Sequence, residues 1–181
     1  MAKYKIIEKH GKKRKSFIVG NNNITAVGII FYKDDELLLI YNKKRQLYED
    51  FGGKVEIHDK YIYETAAREA EEESNKIFLF NDLVKKLEKI KEKYVYVDHS
   101  KYAVYFLELN DKIDTSKFGD FEDECKIHRT VEWIPIKHIK KRKINLIHRL
   151  KHKSVIHKIF NLYKKKTSSK NKKKIKINYQ L

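Results

Sequence analysis

The stretch FGGKVEIHDKYIYETAAREAEEES, from Phe51 to Ser74, decides how the rest of the chain is interpreted. Its two adjacent glycines allow a sharp turn and a close approach of the backbone to a ligand. Residues 61–74 contain three alanines and neither Gly nor Pro, which predicts a helix. The order of glycine turn, loop and acidic helix therefore brings carboxylates toward an accessible stretch of backbone.

The glutamates of this helix are spaced as a metal site requires. Glu69, Glu72 and Glu73 lie three and four positions apart, so a helix places them on one face. Like charges at this spacing destabilise a helix by about 0.2–0.5 kcal/mol per pair. A hard divalent cation with oxygen ligands, Mg²⁺ or Mn²⁺, is the expected compensating partner. Acidic helices are more often simply solvated, so the glycine turn is what favours a metal site.

The rest of the chain predicts strands on both sides of this helix. The predicted strands are a hairpin at 3–19 with its turn at His10-Gly11, a hairpin at 24–41 with its turn at Asp34-Asp35, a Tyr-rich pair at 94–109 and a last strand at 130–136. Amphipathic patterns predict helices at 81–93, capped by Asn81 or Asp82, and at 148–163. This arrangement indicates an α+β fold with a mixed sheet between helices.

The positive charge of the chain is unevenly distributed. Of the 42 Lys and Arg residues, seventeen lie from Lys137 onward, where there is no Asp or Glu, and the other 25 balance the 25 acidic residues. Such asymmetry indicates a polyanionic partner: nucleic acid, a phosphorylated small molecule or an acidic membrane surface. A solubilising role explains the final stretch equally well. We predict one domain over residues 1–163 and a disordered tail over 164–181.

Cysteine content and hydropathy bear on the compartment. The single cysteine, Cys125, excludes an internal disulfide, as expected in a reducing environment. No apolar run in the sequence approaches the length that crosses a bilayer, which is about 18 residues or more. We therefore expect an intracellular, cytoplasmic protein with no transmembrane segment.

The glycine turn and acidic helix together resemble the signature of the Nudix hydrolases. That signature reads Gly, five residues, Glu, seven residues, Arg-Glu, a hydrophobic residue, any residue, Glu-Glu, any residue, Gly and a hydrophobic residue. GGKVE resembles its opening, with Gly53 as the signature glycine, and AAREAEEES resembles its end. The Arg-Glu and Glu-Glu positions are taken by Arg68, Glu69, Glu72 and Glu73.

The chain departs from this signature in three places, one of which is Lys76 at the final hydrophobic position, with Ile77 one place later. One extra residue separates Gly53 from Arg68, so the first signature glutamate is missing in register and Asp59 lies near its position. Asn75 replaces the closing glycine, which is tolerable if only a left-handed backbone conformation is needed there. The three metal-type glutamates nevertheless occur together, which favours an active site over a degenerate one.

The resemblance covers most of residues 20–163 and implies a Nudix-type α/β/α sandwich around a mixed sheet. It also implies hydrolysis of a diphosphate linkage by attack of water on phosphorus, dependent on Mg²⁺ or Mn²⁺. The implied metal ligands are Glu69, Glu72, Glu73 and Gly53, and the implied catalytic residues are Glu72, Glu73 and Arg68. A general base on a later loop is expected at Glu122 or Glu124. Substrate contacts are expected from Lys54, Glu56, Lys43, Lys44 and Arg45.

Several substrates remain open. Basic clusters at 12–15, 43–45 and 140–143 suit a highly anionic substrate. An RNA 5′ end, cleaved in a decapping-type reaction, is slightly favoured because the basic segment 137–181 is long. The alternatives are a diphosphoinositol polyphosphate, and a (d)NTP or another nucleoside diphosphate derivative, which would need no such charge.

Two interpretations of other classes also stand. The chain could be a non-catalytic Nudix-fold protein that binds RNA, as the missing signature glutamate suggests. Residues 148–166 could instead lie on an acidic membrane as a basic amphipathic helix, although its apolar face is better explained by packing on the domain.

Overall fold

The computed structural model describes residues 3–9, 12–122 and 127–164. The strands of this part of the chain are β1 (Lys3–Lys9), β2 (Lys12–Val19), β3 (Asn22–Ile24), β4 (Ala26–Lys33), β5 (Glu36–Asn42), β6 (Leu47–Glu49), β7 (Phe51–Lys54), β8 (Val95–Val97), β9 (Tyr102–Glu108), β10 (Phe121–Glu122) and β11 (Ile127–Pro135). Its helices are α1 (Ile62–Glu73), α2 (Phe80–Glu88), α3 (Ile136–Lys140) and α4 (153–164).

A mixed sheet forms the centre of the fold. Its strand order is β10-β11-β5-β4-β9-β8, with β6 added to β5 and β7 added to β4. β4 runs parallel to β9, whereas its pairings with β5 and β7 are antiparallel. Ile29, Ile30 and Phe31 of β4 are fully buried, as expected for a central strand that is covered on both faces.

Helices cover both faces of this sheet. α1 packs on one face through Ala66, Ala67 and Ala70, whose small side chains allow a close approach. α4 packs on the other face through Val155 and Ile159, both buried in a second apolar cluster. The predicted α+β sandwich is therefore confirmed, and the apolar side of α4 contacts the domain. No helix among the described residues is long and apolar enough to cross a membrane.

Several predicted boundaries were wrong. α2 ends at Glu88, and its N-cap is Leu79, which has no capping side chain, so neither Asn81 nor Asp82 caps it. β11 begins at Ile127, because Ile127 and His128 pair with β10 before residues 129–135 pair with β5. Residues 148–151 form a 3₁₀ turn, and the last helix begins at 153. The predicted tail beyond residue 164 lies outside the described residues.

A separate three-stranded sheet, β1-β2-β3, supports the loop that leads into α1. The Lys15 side chain is buried and donates to the carbonyls of Ile57, at 3.2 Å, and Asp59. Its ammonium lies over the rings of Tyr4 and Phe17, at 4.5 and 5.1 Å from their centroids. Lys15 therefore anchors this loop. The sequence had grouped it with the basic cluster 12–15 that suits an anionic substrate, but its ammonium binds backbone carbonyls instead.

A buried ion pair ties the C-terminal part of the chain to the start of β7, the strand that contains Gly52 and Gly53. Asp50, which is fully buried, accepts from Arg149 Nε at 2.8 Å and lies 2.8 Å from Arg149 Nη2. Its second oxygen accepts from the Tyr102 hydroxyl at 3.0 Å. These contacts fix the residue that precedes Phe51 and the two glycines.

Removal of this pair tests how strongly the fold depends on it. We expect Arg149→Met to lower the free energy of unfolding by about 3–5 kcal/mol, because it leaves the buried Asp50 carboxylate without its cation. Lys151→Met is the matched control, since Lys151 is exposed on the same turn, and its loss should cost less than about 1 kcal/mol. Urea unfolding curves measure both. Equal losses in the two variants would contradict the assignment.

Candidate active site

The predicted sharp turn at Gly52 and Gly53 is wrong, because both glycines belong to strand β7 and pair with β4. This strand lies directly under α1. The Gly52 N–H donates to Glu73 Oε2 at 2.6 Å. A Cβ on Gly53 would overlap the Glu69 carboxylate, and one on Gly52 would overlap the backbone of Gly28. Gly52 therefore requires glycine, because the backbone of the neighbouring strand occupies the space of a Cβ. A Cβ at Gly53 would displace the Glu69 carboxylate from its present position.

The side chain of Arg68 joins the carboxylates of the helix to the loop before it. Its guanidinium donates to Glu72 Oε2 and Oε1 at 2.9 and 3.1 Å, to Glu69 Oε1 at 3.0 Å, to the Lys54 carbonyl at 2.9 Å and to Asp59 Oδ1 at 3.3 Å. Only 13% of the Arg68 side chain is exposed, so these bonds form in a partly desolvated environment. They fix the positions of two helix glutamates relative to β7.

Asp59 closes the loop that contains the extra residue. Its carboxylate is buried, accepts from the Glu56 N–H and the Thr65 hydroxyl, each at 2.8 Å, and reaches Arg68. The sequence left open whether Asp59 replaces the missing signature glutamate. The structure brings its carboxylate to the signature arginine.

Asn75 does more than permit a left-handed backbone. Its φ is +52°, as predicted for the residue after the helix. Its side-chain amide also donates to the carbonyls of Phe118 and Phe121, at 3.0 and 2.9 Å. A glycine could not make these bonds. They hold the segment that carries Glu122, which is 7% exposed, against the end of α1.

Burial, together with neighbouring carboxylates, raises the pKa values of Glu69 and Glu73. Burial, followed by the charges of Glu72 and Glu56, raises the pKa of Glu69 to about 7 although Arg68 opposes the shift. Burial, followed by the charges of Glu122 and Glu69, raises the pKa of Glu73 well above its ordinary value. A bound cation would relieve this repulsion, and an all-oxygen donor set fits Mg²⁺ or Mn²⁺.

The other predicted site residues lie around this cluster or away from it. Lys54 and Glu56 are exposed beside it, and Glu56 lies 3.9 Å from Arg68. The turn between β5 and β6 exposes Lys43, Lys44 and Arg45. This turn contacts the segment around Asn145, whose side chain donates to the Gln46 carbonyl at 3.3 Å. Glu124 lies outside the described residues.

Sequence reasoning missed the residues that support the cluster. Asp50 lies two residues before the glycine pair, so the sequence did offer an acidic residue next to the signature. Its partners Tyr102 and Arg149 lie 52 and 99 positions away in the sequence, so no local pattern connects them. Lys15 was missed for the same reason, since its acceptors lie more than forty positions later.

Substitution of Asn75 tests its contact with the Glu122 segment. Asn75→Gly restores the signature residue and keeps the left-handed backbone but removes the amide donors. We expect hydrogen exchange at residues 118–122 to quicken, with a loss of local stability of about 1–2 kcal/mol for the two bonds. Asn75→Asp, which keeps the size but has no amide hydrogens, should show the same change. Unchanged exchange in both variants would contradict this role.

Comparison with known proteins gives both a family match and structural neighbours. The sequence model of the NUDIX domain matches residues 22–154. No curated protein matches the chain.

Three solved structures illustrate the similarity. An Ap4A hydrolase of C. elegans, in a binary complex, is 16% identical, with 81% of this chain and 98% of that chain covered and a TM-score of 0.42. A NUDIX family hydrolase from Clostridium perfringens is 17% identical, with 77% and 95% covered and a TM-score of 0.45. A bifunctional NMN adenylyltransferase/ADP ribose pyrophosphatase from Francisella tularensis, complexed with AMP and a Mn ion, is 17% identical, with 71% and 39% covered and a TM-score of 0.46.

Proposed function

Because the chain belongs to the Nudix family and is therefore a phosphoanhydride hydrolase, we propose that it cleaves a diphosphate linkage at the 5′ end of RNA. The observation that carries this proposal is a band of basic side chains formed by the β5–β6 turn and a groove that is hydrogen-bonded to β6. The reaction class rests on the family, whereas the preference for RNA rests on this charge.

Nudix hydrolases use divalent metal ions, and the carboxylate cluster has the donor chemistry for one. We assign the ion to Glu69, Glu72, Glu73 and the backbone at Gly53, with Mg²⁺ or Mn²⁺ as the cation. When bound, such a cation neutralises phosphate charge and lowers the pKa of a coordinated water. Arg68 is assigned to orienting Glu69 and Glu72, which it contacts directly.

The hydrolysis also requires that a side chain of the protein accept one proton from the attacking water. Water attacks phosphorus, a new P–O bond forms, and the diphosphate P–O bond breaks with its electrons passing to the leaving phosphate oxygen. We assign the proton of the attacking water to Glu122, since Glu73 is assigned to the cation. The segment before Glu122 is held against the end of α1 by Asn75, and the charges of Glu122 and Glu73 interact, so Glu122 lies beside the proposed cation ligands.

The role of Glu73 has a direct test with a control on the same helix. Glu73→Gln should lower turnover about 100-fold or more, because the neutral amide is a weaker ligand for a divalent cation than the carboxylate. Glu71→Gln is the matched control, since Glu71 lies on α1 but accepts from the Phe80 N–H at 2.8 Å, outside the carboxylate cluster. Release of the cap nucleotide from capped RNA with Mg²⁺ or Mn²⁺ is the measurement. Equal activity in both variants would refute the assignment.

The basic band consists of the β5–β6 turn and an adjoining groove. The groove, of about 830 Å³, is lined by Lys140, Arg142, Lys143, Lys151 and Lys153 together with Ile139, Ile144, Asn145, Leu146, Ile156 and Phe160. Backbone bonds of 2.8 Å, from Tyr48 N to the Asn145 carbonyl and from Ile147 N to the Tyr48 carbonyl, join this groove to β6. Asp50 and then β7, which contains the two glycines, directly follow β6.

The shape of this band favours an extended polyanion. Two arginines near β7, Arg68 and Arg149, already form ion pairs with carboxylates of the protein. A diphosphoinositol polyphosphate would need a compact group of cations around the glutamates. The band instead continues from the turn at 43–45 to the groove, which suits successive phosphates of a single strand.

The groove substitution distinguishes RNA from compact substrates. The triple variant Lys140→Ala, Arg142→Ala, Lys143→Ala should reduce the slope of log affinity against log salt by about 2 for single-stranded RNA. Its turnover of free cap dinucleotide should stay unchanged. The triple variant Lys85→Ala, Lys86→Ala, Lys89→Ala removes equal charge around the exposed face and end of α2 and should keep the full slope. Preferred hydrolysis of a diphosphoinositol polyphosphate, or an unchanged slope, would refute the RNA proposal.

A further inference from the structure

A second group of metal-type ligands lies on the α4 side of the sheet. Asp98 and His99 belong to the 3₁₀ turn between β8 and β9, and His152 immediately precedes α4. Asp98 Oδ1 is 3.4 Å from His152 Nε2 and 3.7 Å from His99 Nδ1. The potential ligand atoms of all three residues lie within 4.8 Å of one another.

These distances suit a small tetrahedral cation. Zn²⁺ binds imidazole nitrogen and carboxylate oxygen at about 2.0–2.2 Å, so adjacent ligand atoms in a tetrahedron are about 3.3–3.6 Å apart. The Asp98–His152 pair already has this separation, and the Asp98–His99 pair exceeds it slightly. Without a cation, the Asp98–His99 and Asp98–His152 ion pairs lie at the protein surface and would each contribute little to the free energy of unfolding.

A third histidine increases the ligand density of this cluster. The His148 ring lies 4.5 Å from the His99 ring, centroid to centroid, and the His99 ring lies 5.5 Å from that of His152. His148 and His152 flank Arg149, so the same short segment supplies two imidazoles to the cluster. Three imidazoles and one carboxylate therefore meet where the C-terminal segment contacts the β8–β9 turn.

The chemistry of these ligands selects a different class of metal from the carboxylate cluster. Imidazole nitrogen suits Zn²⁺, Ni²⁺ or Cu²⁺, whereas Mg²⁺ prefers oxygen ligands. We propose that Asp98, His99 and His152 form a second metal site, which takes Zn²⁺ or a similar first-row cation. His148 or a water fills the fourth position.

The site has a structural consequence because of what it connects. A cation there cross-links the β8–β9 turn to the segment that contains Arg149. Arg149 also binds Asp50, the residue immediately before β7. The metal therefore stabilises the attachment of α4 to the domain without contacting the reacting groups.

Metal titration of the full chain tests the proposal. The protein is stripped with a chelator, returned to excess Mg²⁺ to occupy the oxygen site, and titrated with Zn²⁺ by calorimetry. We expect one Zn²⁺ per chain, and a melting temperature that rises with Zn²⁺. The double variant Asp98→Asn, His99→Asn should weaken this binding more than about tenfold. Both side chains are at least 37% exposed, so the variant should fold normally, as far-UV circular dichroism would show.

Two controls and a spectroscopic measurement make the test specific. His157→Asn removes an exposed histidine of α4 outside the cluster and should leave Zn²⁺ affinity unchanged. Glu69→Gln alters the carboxylate cluster and should also leave it unchanged. Co²⁺ bound in place of Zn²⁺ should give intense visible absorption of tetrahedral type, which the double variant loses. Zn²⁺ binding that persists in the double variant, or that disappears in Glu69→Gln, would overturn the proposal.

Discussion

The contacts of one guanidinium determine the geometry of the candidate active site. Arg68 binds two glutamates of its own helix, the carbonyl of Lys54 and the carboxylate of Asp59. Each contact restrains a different part of the chain, so helix, strand β7 and loop are fixed relative to one another. A lysine could not replace it, because only a planar guanidinium presents several donors in fixed directions.

A second constraint is the lack of side chains at Gly52 and Gly53 of β7. α1 approaches β7 so closely that the Glu69 carboxylate occupies the place of a Cβ on Gly53. The same proximity allows the Gly52 amide to donate to Glu73. Close packing thus buries these glutamates and brings their negative charges together, and both effects raise their pKa values. A divalent cation is the species that such a group of carboxylates suits.

Departures from the family signature are compensated by contacts distant in the sequence. Asp59 reaches the arginine despite the extra residue, with its loop held from outside by Lys15. Asn75 replaces glycine at the end of the helix and bonds two carbonyls of the segment before Glu122. The degenerate appearance of the signature therefore reflects different supporting contacts around the same set of glutamates.

Local pattern was sufficient to predict the α+β fold, the acidic helix, the shared face of its glutamates and the left-handed Asn75. These features depend on residues within a few positions of one another, whose periodicity and backbone preferences are visible in the sequence. Only the tertiary structure brought Arg149 to Asp50, buried Lys15 and grouped Asp98 with His152. Such contacts join residues separated by tens of positions, and their free energy comes from burial and complementary charge, which exist only once the strands and helices have packed.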